Sequence, residues 1–132
     1  MKIIEVKPLQ EVNGVKFGCN RKAARKAFGP KFKEVKKTVF SKSTMDAYDD
    51  YHVYYTPDGE FEAIEIFGDV TVIVNGKTVF PGNERELKDI FSETQGDSDG
   101  WIDQNNSVGV TLSQDNGDVI EAILFGCENY YS

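Results

Sequence analysis

The sequence predicts an α+β fold, in which two short helices pack on a mainly antiparallel sheet of about six to eight strands. Between residues 36 and 80, apolar and polar side chains alternate, and turns of two to four residues separate the runs. This pattern is typical of an antiparallel meander. Two other segments have helical spacing with start and stop signals, and a final hairpin follows them. With 132 residues, the chain is expected to form a single domain, 1–132.

The first part of the chain predicts a strand, a turn and a helix. Residues 1–7 are expected to form the first strand, and Asn13-Gly14 marks a turn before a short extended piece. Residues 21–28 are predicted to be helical, capped by Asn20 and closed by Gly29-Pro30. The predicted buried stripe of this helix is Ala24, Ala27 and Phe28.

The meander is predicted from its turns. Pro57-Asp58-Gly59, Gly68-Asp69 and Asn75-Gly76 each separate two alternating runs, and Asn-Gly is the strongest short hairpin signal. The predicted strands are 35–40, 51–56, 60–67, 70–74 and 77–80. One sheet face is expected to hold Val53, Tyr55, Val70, Val72, Val74 and Phe125.

A second helix and a hairpin complete the prediction. Asn83 with Glu86 has the spacing of a capping box, and the helix is expected to end near Thr94. Its buried stripe would be Leu87, Ile90 and Phe91. Residues 95–106 are predicted to be a polar loop, followed by strands at 108–112 and 119–125.

Two strand ends resemble each other. Residues 62–68 read Glu-Ala-Ile-Glu-Ile-Phe-Gly, and residues 121–126 read Glu-Ala-Ile-Leu-Phe-Gly. The match favours a degenerate tandem α-β repeat, but two amphipathic hairpins could also converge on it.

Charge is distributed unevenly along the chain. Residues 1–42 hold 12 Lys/Arg and 3 Asp/Glu, a balance of +9, and residues 43–132 hold 3 and 19, a balance of −16. Folding could bring the two regions together and neutralise part of this difference. The remaining field would steer charged partners.

Two segments are candidate partner-binding surfaces because they combine carboxylates with aromatic rings. Tyrosine is enriched in recognition surfaces, and carboxylates pair with the Lys and Arg of a basic partner. The alternative for the first segment is that its rings belong to the core. The predicted binding residues are Asp46, Tyr48, Asp49, Asp50 and Tyr54 in the first segment and Asp97, Asp99, Trp101 and Asp103 in the second.

The second segment was also compared with a calcium-binding loop. Asp97, Asp99, Gly100 and Asp103 fit EF-hand positions 3, 5, 6 and 9, whereas Gln95 and Asn106 replace the terminal carboxylates. The loss of both favours an acidic surface loop over a calcium site. We therefore predict no metal and no cofactor.

The sequence contains no pattern typical of catalysis, metal binding, nucleic-acid binding or a membrane span. His52 is the only histidine, and Cys19 and Cys127 lack metal-ligand spacing. The basic stretch 16–42 lies in a chain with pI near 4.7, so direct nucleic-acid binding is not expected. No apolar run reaches the length of a membrane span. The expectation is a non-enzymatic cytoplasmic protein without membrane contact.

Residues 53–80, with Tyr-Tyr-Thr-Pro-Asp-Gly-Glu-Phe-Glu-Ala-Ile-Glu-Ile-Phe and Val-Asn-Gly-Lys-Thr-Val-Phe-Pro, resemble small bacterial proteins. Some of these are similar to the immunity proteins of polymorphic and contact-dependent toxin systems. Gly14-Val15-Lys16-Phe17-Gly18, leading into the capped helix, belongs to the same resemblance. The resemblance implies a protein that binds a toxin and carries no catalytic residues.

Two functional hypotheses follow. The first is an immunity protein that neutralises a cognate toxin domain, a basic protein and most simply a nuclease, by occluding its active-site cleft. The alternative is a non-catalytic adaptor whose acidic face binds another basic protein.

Overall fold

A computed structural model of the protein describes residues 3–36, 38–40 and 43–131. The first half contains β1 (Ile3–Lys7), β2 (Glu11–Val12), β3 (Val15–Lys16), α1 (Arg21–Phe28), β4 (Lys33–Lys36), β5 (Thr44–Ala47), β6 (Tyr51–Tyr55) and β7 (Phe61–Ile66). The second half contains β8 (Thr71–Val74), β9 (Lys77–Phe80), α2 (Arg85–Ile90), β10 (Gln95–Asp97), β11 (Gly100–Asp103), β12 (Val108–Leu112) and β13 (Ile120–Gly126).

The predicted mainly antiparallel α+β class is confirmed, but the prediction of a single sheet is wrong, because the strands form two sheets. The larger sheet has eight strands in the order β10-β11-β12-β13-β7-β6-β5-β4, and every neighbouring pair is antiparallel. The smaller sheet has the order β3-β2-β1-β8-β9, with β1 and β8 parallel. Buried side chains of both sheets join one hydrophobic core.

The prediction that six core residues share one sheet face is wrong, although all six are buried. Val53, Tyr55 and Phe125 belong to the eight-stranded sheet, whereas Val72 and Val74 belong to the five-stranded sheet. Val70 lies just before β8. Alternation indicates which side chains are buried, but the assignment to a sheet depends on the long-range pairing of β1 with β8, which has no local signal.

The first helix has the predicted bounds and caps. The Asn20 side chain accepts a hydrogen bond from the Ala23 N–H, and the Gly29 N–H donates to the Arg25 carbonyl with Gly29 at φ 104°. Ala24 and Phe28 are buried as predicted, but Ala27 is exposed. A helix of two turns buries a narrow i, i+4 stripe here, so the predicted place of Ala27 in that stripe is wrong.

The second helix is shorter than predicted. The Asn83 side chain accepts a hydrogen bond from the Arg85 N–H, two residues on, so it closes a turn and Glu84 takes the cap position. The predicted capping box with Glu86 is therefore wrong. The helix ends at Ile90, and Leu87 is its fully buried residue.

Two more local predictions need correction. The predicted strand 35–40 is displaced toward the N-terminus: β4 ends at Lys36, and Val39 and Phe40 are 81% and 90% exposed. Lys37, and Met1 and Lys2 of the predicted first strand, lie outside the described residues. The predicted loop 95–106 is largely a hairpin made by β10 and β11.

The order of elements in the larger sheet bears on the predicted repeat. Each half contributes a helix followed by a four-stranded meander, and the last strands of the two meanders, β7 and β13, pair at the centre. The two similar segments therefore lie side by side, with Ile123 opposite Ile66. The tandem repeat itself remains a prediction.

Candidate functional site: an acidic groove at one edge of the sheet

A groove of about 380 Å³ lies at the β10 end of the eight-stranded sheet. Its floor follows the strand register, because Ile102, Gly109 and Leu124 are aligned partners on neighbouring strands, and Ala122 lies opposite Thr111. These positions alternate with the core positions Trp101, Val110 and Ile123. The groove therefore opens on the sheet face that points away from the core.

The C-terminal segment contributes a wall of the groove. Tyr131 lines it, and a Cβ atom added at Gly109 would collide with the Tyr131 hydroxyl. A Cβ atom at Gly126 would meet the ring of Tyr130 in the same way. Glycine at these two strand positions lets the tyrosines lie against the sheet. Burial raises the pKa of Tyr130 and of Tyr131 to about 12.

This close approach gives a stability prediction. Gly109→Val should lower the free energy of unfolding by about 1–3 kcal/mol, because the added side chain displaces Tyr131 from the groove wall. Urea unfolding measures the change. The double variant Gly109→Val/Tyr131→Ala should lose less than the sum of the two single variants, and additive losses would contradict the contact.

The groove has an acidic rim. Glu65, Asp97 and Asp99 line it together with Gln95 and Thr111, and none of the described residues that line it is Lys or Arg. Residues 89–132 contain nine Asp/Glu and no Lys/Arg, so the surrounding chain carries the same sign. An apolar floor with a rim of carboxylates is complementary to a segment that is both apolar and basic.

Of the second predicted patch, two residues lie at this rim and two do not. Asp97 and Asp99 are exposed, and the Asp97 carboxylate accepts a hydrogen bond from the Asp99 N–H, which shapes the turn. Trp101 is buried in the core, and its Nε1 donates to Glu84 at 2.9 Å. Asp103 is buried and accepts two hydrogen bonds from Asn106. The expectation of surface positions for Trp101 and Asp103 is wrong.

The first predicted patch is mainly internal. Asp46 is 0% exposed, and both of its carboxylate oxygens accept hydrogen bonds from Arg25 at 2.8 Å. Tyr48 is buried and donates to the Gly29 carbonyl at the end of α1. Asp50 is half-buried and accepts from the Asp69 N–H, which leaves Asp49 as the exposed member. The expectation that Asp46 and Tyr48 are surface contact residues is wrong.

Tyr54, predicted to be a partner-contact residue of the first segment, is buried beside the groove residue Glu65. Its hydroxyl donates to the Glu65 carboxylate at 3.0 Å. Burial and the neighbouring Glu65 carboxylate raise the pKa of Tyr54 above its usual value. Tyr54 therefore orients a rim carboxylate.

Sequence reasoning missed the residues that make the groove concave. Glu65, Ile102, Leu124 and Tyr131 come from separate elements and meet only through strand order. One signal was available in the sequence: Gly109 lies within a predicted strand, Gly126 follows another, and Tyr130-Tyr131 lie a few residues further on.

One strand from the basic region and one from the acidic region form the two edges of the eight-stranded sheet. β4 carries Lys33 and Lys36 at one edge, and β10 with Asp97 forms the other, seven strand spacings of roughly 4.8 Å away. Folding neutralises only part of the asymmetry, since Arg25 pairs with Asp46 and Glu34. The ion pairs among the described residues include neither lysine of β4.

Other kinds of site find little support in the described part of the chain. In residues 3–36, 38–40 and 43–131, no group of three or more His, Cys, Asp or Glu side chains could hold a metal ion. Cys19 and Cys127 are separate free thiols whose pKa values are raised by burial. Neither described helix has the length and apolar character needed to cross a membrane.

Comparison of the chain with protein-family models, with curated proteins and with solved structures finds no match. Functional interpretation therefore depends on the groove, its charge and the fold that builds it.

Proposed function

We propose that the protein binds a basic partner protein and that the acidic groove takes up a segment of that partner. The observation that carries the proposal is the combination of an apolar floor with three rim carboxylates and, in the described part of the chain, no lining Lys or Arg. Apolar contacts with the floor would supply affinity, and the carboxylates would select Lys or Arg at the edges.

The specific role we propose is that of a cytoplasmic immunity protein that occludes the active-site cleft of a cognate toxin, a nuclease. Two arguments support it. Residues 53–80 resemble small bacterial proteins, some of which are similar to immunity proteins, and the basic residues around a cleft that binds nucleic acid carry the charge that the acidic rim of this groove complements. The long-range acidic field of residues 89–132 would speed association with such a cleft.

The groove can be tested by charge reversal at residues whose side chains do not support the fold. Both Asp99 and Thr111 are exposed and line the groove. Asp99 lies in the turn between β10 and β11, and Thr111 lies on β12. Asp99→Lys/Thr111→Lys should weaken binding to the cognate toxin domain, used in a catalytically inactive form, by about tenfold or more. The loss should fall partly on the association rate and should shrink at high salt.

A matched control changes the same residue types elsewhere. Asp49→Lys/Thr78→Lys alters two exposed positions and shifts the net charge by the same amount. It should leave the affinity nearly unchanged. Weaker binding in this control, together with unchanged binding in the groove variant, would move the interface to the first predicted patch.

Co-expression distinguishes the two functional hypotheses. Protection of cells against the active toxin, lost in the groove variant, is the result expected of an immunity protein. A stable complex without protection would support the adaptor hypothesis, and the absence of both would overturn the proposal.

A further inference from the structure

Among the described residues, the eight-stranded sheet ends in two edge strands that pair on one side only and have opposite net charge. β4 (Lys-Glu-Val-Lys) is exposed along its whole length, and its Glu34 is engaged by Arg25. β10 (Gln-Gly-Asp) is also exposed throughout and continues into the acidic rim. An edge strand presents free backbone N–H and C=O groups, which can pair with another strand.

Charge selects one of the three edge pairings that two copies could make. β4 carries a net charge of +1 and β10 a net charge of −1, so β4 against β4 and β10 against β10 would each join strands of the same net charge. β4 against β10 joins strands of opposite net charge. Like charges on facing strands are destabilising and opposite charges are stabilising, so the mixed pairing is the favoured one.

The apolar surfaces beside the two edges also favour pairing of β4 with β10. Next to the basic edge, Val35 is 37% exposed, and Val39 and Phe40 follow in the turn after β4 with most of their surface in solvent. Next to the acidic edge, the groove offers the apolar floor formed by Ile102 and Leu124. Large exposed apolar side chains beside a charged strand are typical of an interaction site.

We propose that the partner of the basic edge is a second copy of this chain, whose acidic edge and groove receive β4 and the Val39-Phe40 turn. The two surfaces differ, so the contact is head-to-tail and can add further copies. It uses the groove assigned above to a basic partner protein. Self-association and partner binding therefore exclude each other at that groove.

Sedimentation velocity of the full chain, measured without any partner, tests the proposal. At about 20 mM salt the mean mass should rise above 14.8 kDa with increasing concentration and pass the value for two copies. At about 500 mM salt it should return toward the monomer value, because exposed charges are then screened. A constant monomer mass, or an association that stops at two copies, would overturn the head-to-tail contact.

Charge-swapped variants supply the decisive control. Lys33→Glu/Lys36→Glu makes the β4 edge acidic, like the β10 edge. Gln95→Lys/Asp99→Lys places two lysines at the β10 edge, so that both edges carry lysines. Each variant alone should therefore stay monomeric. Mixed in equal amounts, the two should associate again. Association of either variant alone at the wild-type level, or no recovery on mixing, would contradict the proposal.

The outcome can be separated from that of the proposed function. Lys33→Glu/Lys36→Glu leaves the groove unchanged, so its binding to a toxin domain should equal that of the wild type. Circular dichroism checks that both double variants are folded. Phe40→Ser, a change at an exposed turn residue, should weaken self-association several-fold without altering either edge charge.

Discussion

Asp46→Ala is expected to lower the free energy of unfolding by about 3–5 kcal/mol, the largest effect of any single substitution proposed for this protein. The carboxylate is fully buried, and Arg25 binds it through Nε and Nη2 at 2.8 Å. The Tyr55 hydroxyl donates to the same carboxylate at 3.0 Å. Removal of the carboxylate leaves the Tyr55 hydroxyl without this acceptor and the Arg25 guanidinium with Glu34 as its remaining carboxylate partner.

The reason for the size of this effect is that Asp46 connects three elements. Arg25 belongs to α1, Asp46 to β5 and Tyr55 to β6, and Arg25 also pairs with Glu34 on β4 at 2.9 Å. The guanidinium lies 4.4 Å from the ring centre of Phe32. The hydrogen bond from Arg25 to Asp46 is the largest cause of a raised Arg25 pKa. Asp46 therefore holds α1 against the basic edge of the sheet.

Urea unfolding of Asp46→Ala and of Glu34→Ala measures how much free energy of unfolding each variant loses. Glu34 makes the outer ion pair with Arg25 and is exposed, so its removal should cost at most about 1 kcal/mol. The pKa of Glu34 is lowered by the Thr44 hydroxyl and by Arg25, so this contribution is present above the unfolded carboxyl pKa and is lost as pH falls below it. Equal losses in the two variants at neutral pH would contradict the assigned role of Asp46.

Local signals in the sequence were sufficient for much of the fold. Asn20, Gly29 and Pro30 define α1 because capping chemistry acts within a few residues. Asn75-Gly76 produces the β8–β9 turn with both residues at positive φ, as its dipeptide preference requires. These features depend on residues that are close together in the sequence, so they can be predicted from the sequence alone.

The candidate site was less predictable because it depends on what covers each face of the sheet. Tyr54 and Tyr55 are both buried, although alternation places consecutive residues on opposite faces. Tyr55 faces the core, whereas Tyr54 is buried on the outer face beside Glu65. No pattern within β6 indicates that Tyr54 is buried on the outer face. The same reason explains why Tyr48 and Trp101 were predicted to be surface residues.

The positions of the charges in space were likewise not predictable from the sequence. The sequence predicts two regions of opposite sign, but their separation in space depends on strand order. The order β10 to β4 places residues 95–97 and 33–36 at the two ends of one sheet. Both the proposed partner groove and the proposed head-to-tail contact follow from that separation.

The protein is expected to resist alkaline pH up to about pH 10 and then to unfold cooperatively as its tyrosines ionise. All six tyrosines have pKa values raised by burial, to about 12 for Tyr51, Tyr130 and Tyr131 and above the usual range for Tyr48, Tyr54 and Tyr55. A phenol with a raised folded-state pKa keeps its proton longer in the folded protein than in the unfolded chain. Its contribution to stability is therefore complete below pH 10 and is lost as pH rises toward the folded-state pKa.

The expected loss is large because six groups act together. A shift of one pKa unit corresponds to about 1.4 kcal/mol, so even one unit at each tyrosine amounts to about 8 kcal/mol. That value is comparable with the whole free energy of unfolding of a small domain. Ionisation and unfolding should consequently occur in one transition.

Tyrosinate absorbance and far-ultraviolet circular dichroism, recorded over the same alkaline titration, measure this coupling. The two signals should change together above pH 10, whereas in concentrated urea the tyrosines should titrate near their ordinary pKa of about 10. Tyr51→Phe removes one ionisable group whose hydroxyl makes only a 3.3 Å hydrogen bond to the Phe28 carbonyl, so it should make the transition less steep with pH. If tyrosinate forms with a midpoint near pH 10 while the circular dichroism stays that of the folded protein, the tyrosines are not protected by burial and the prediction is wrong.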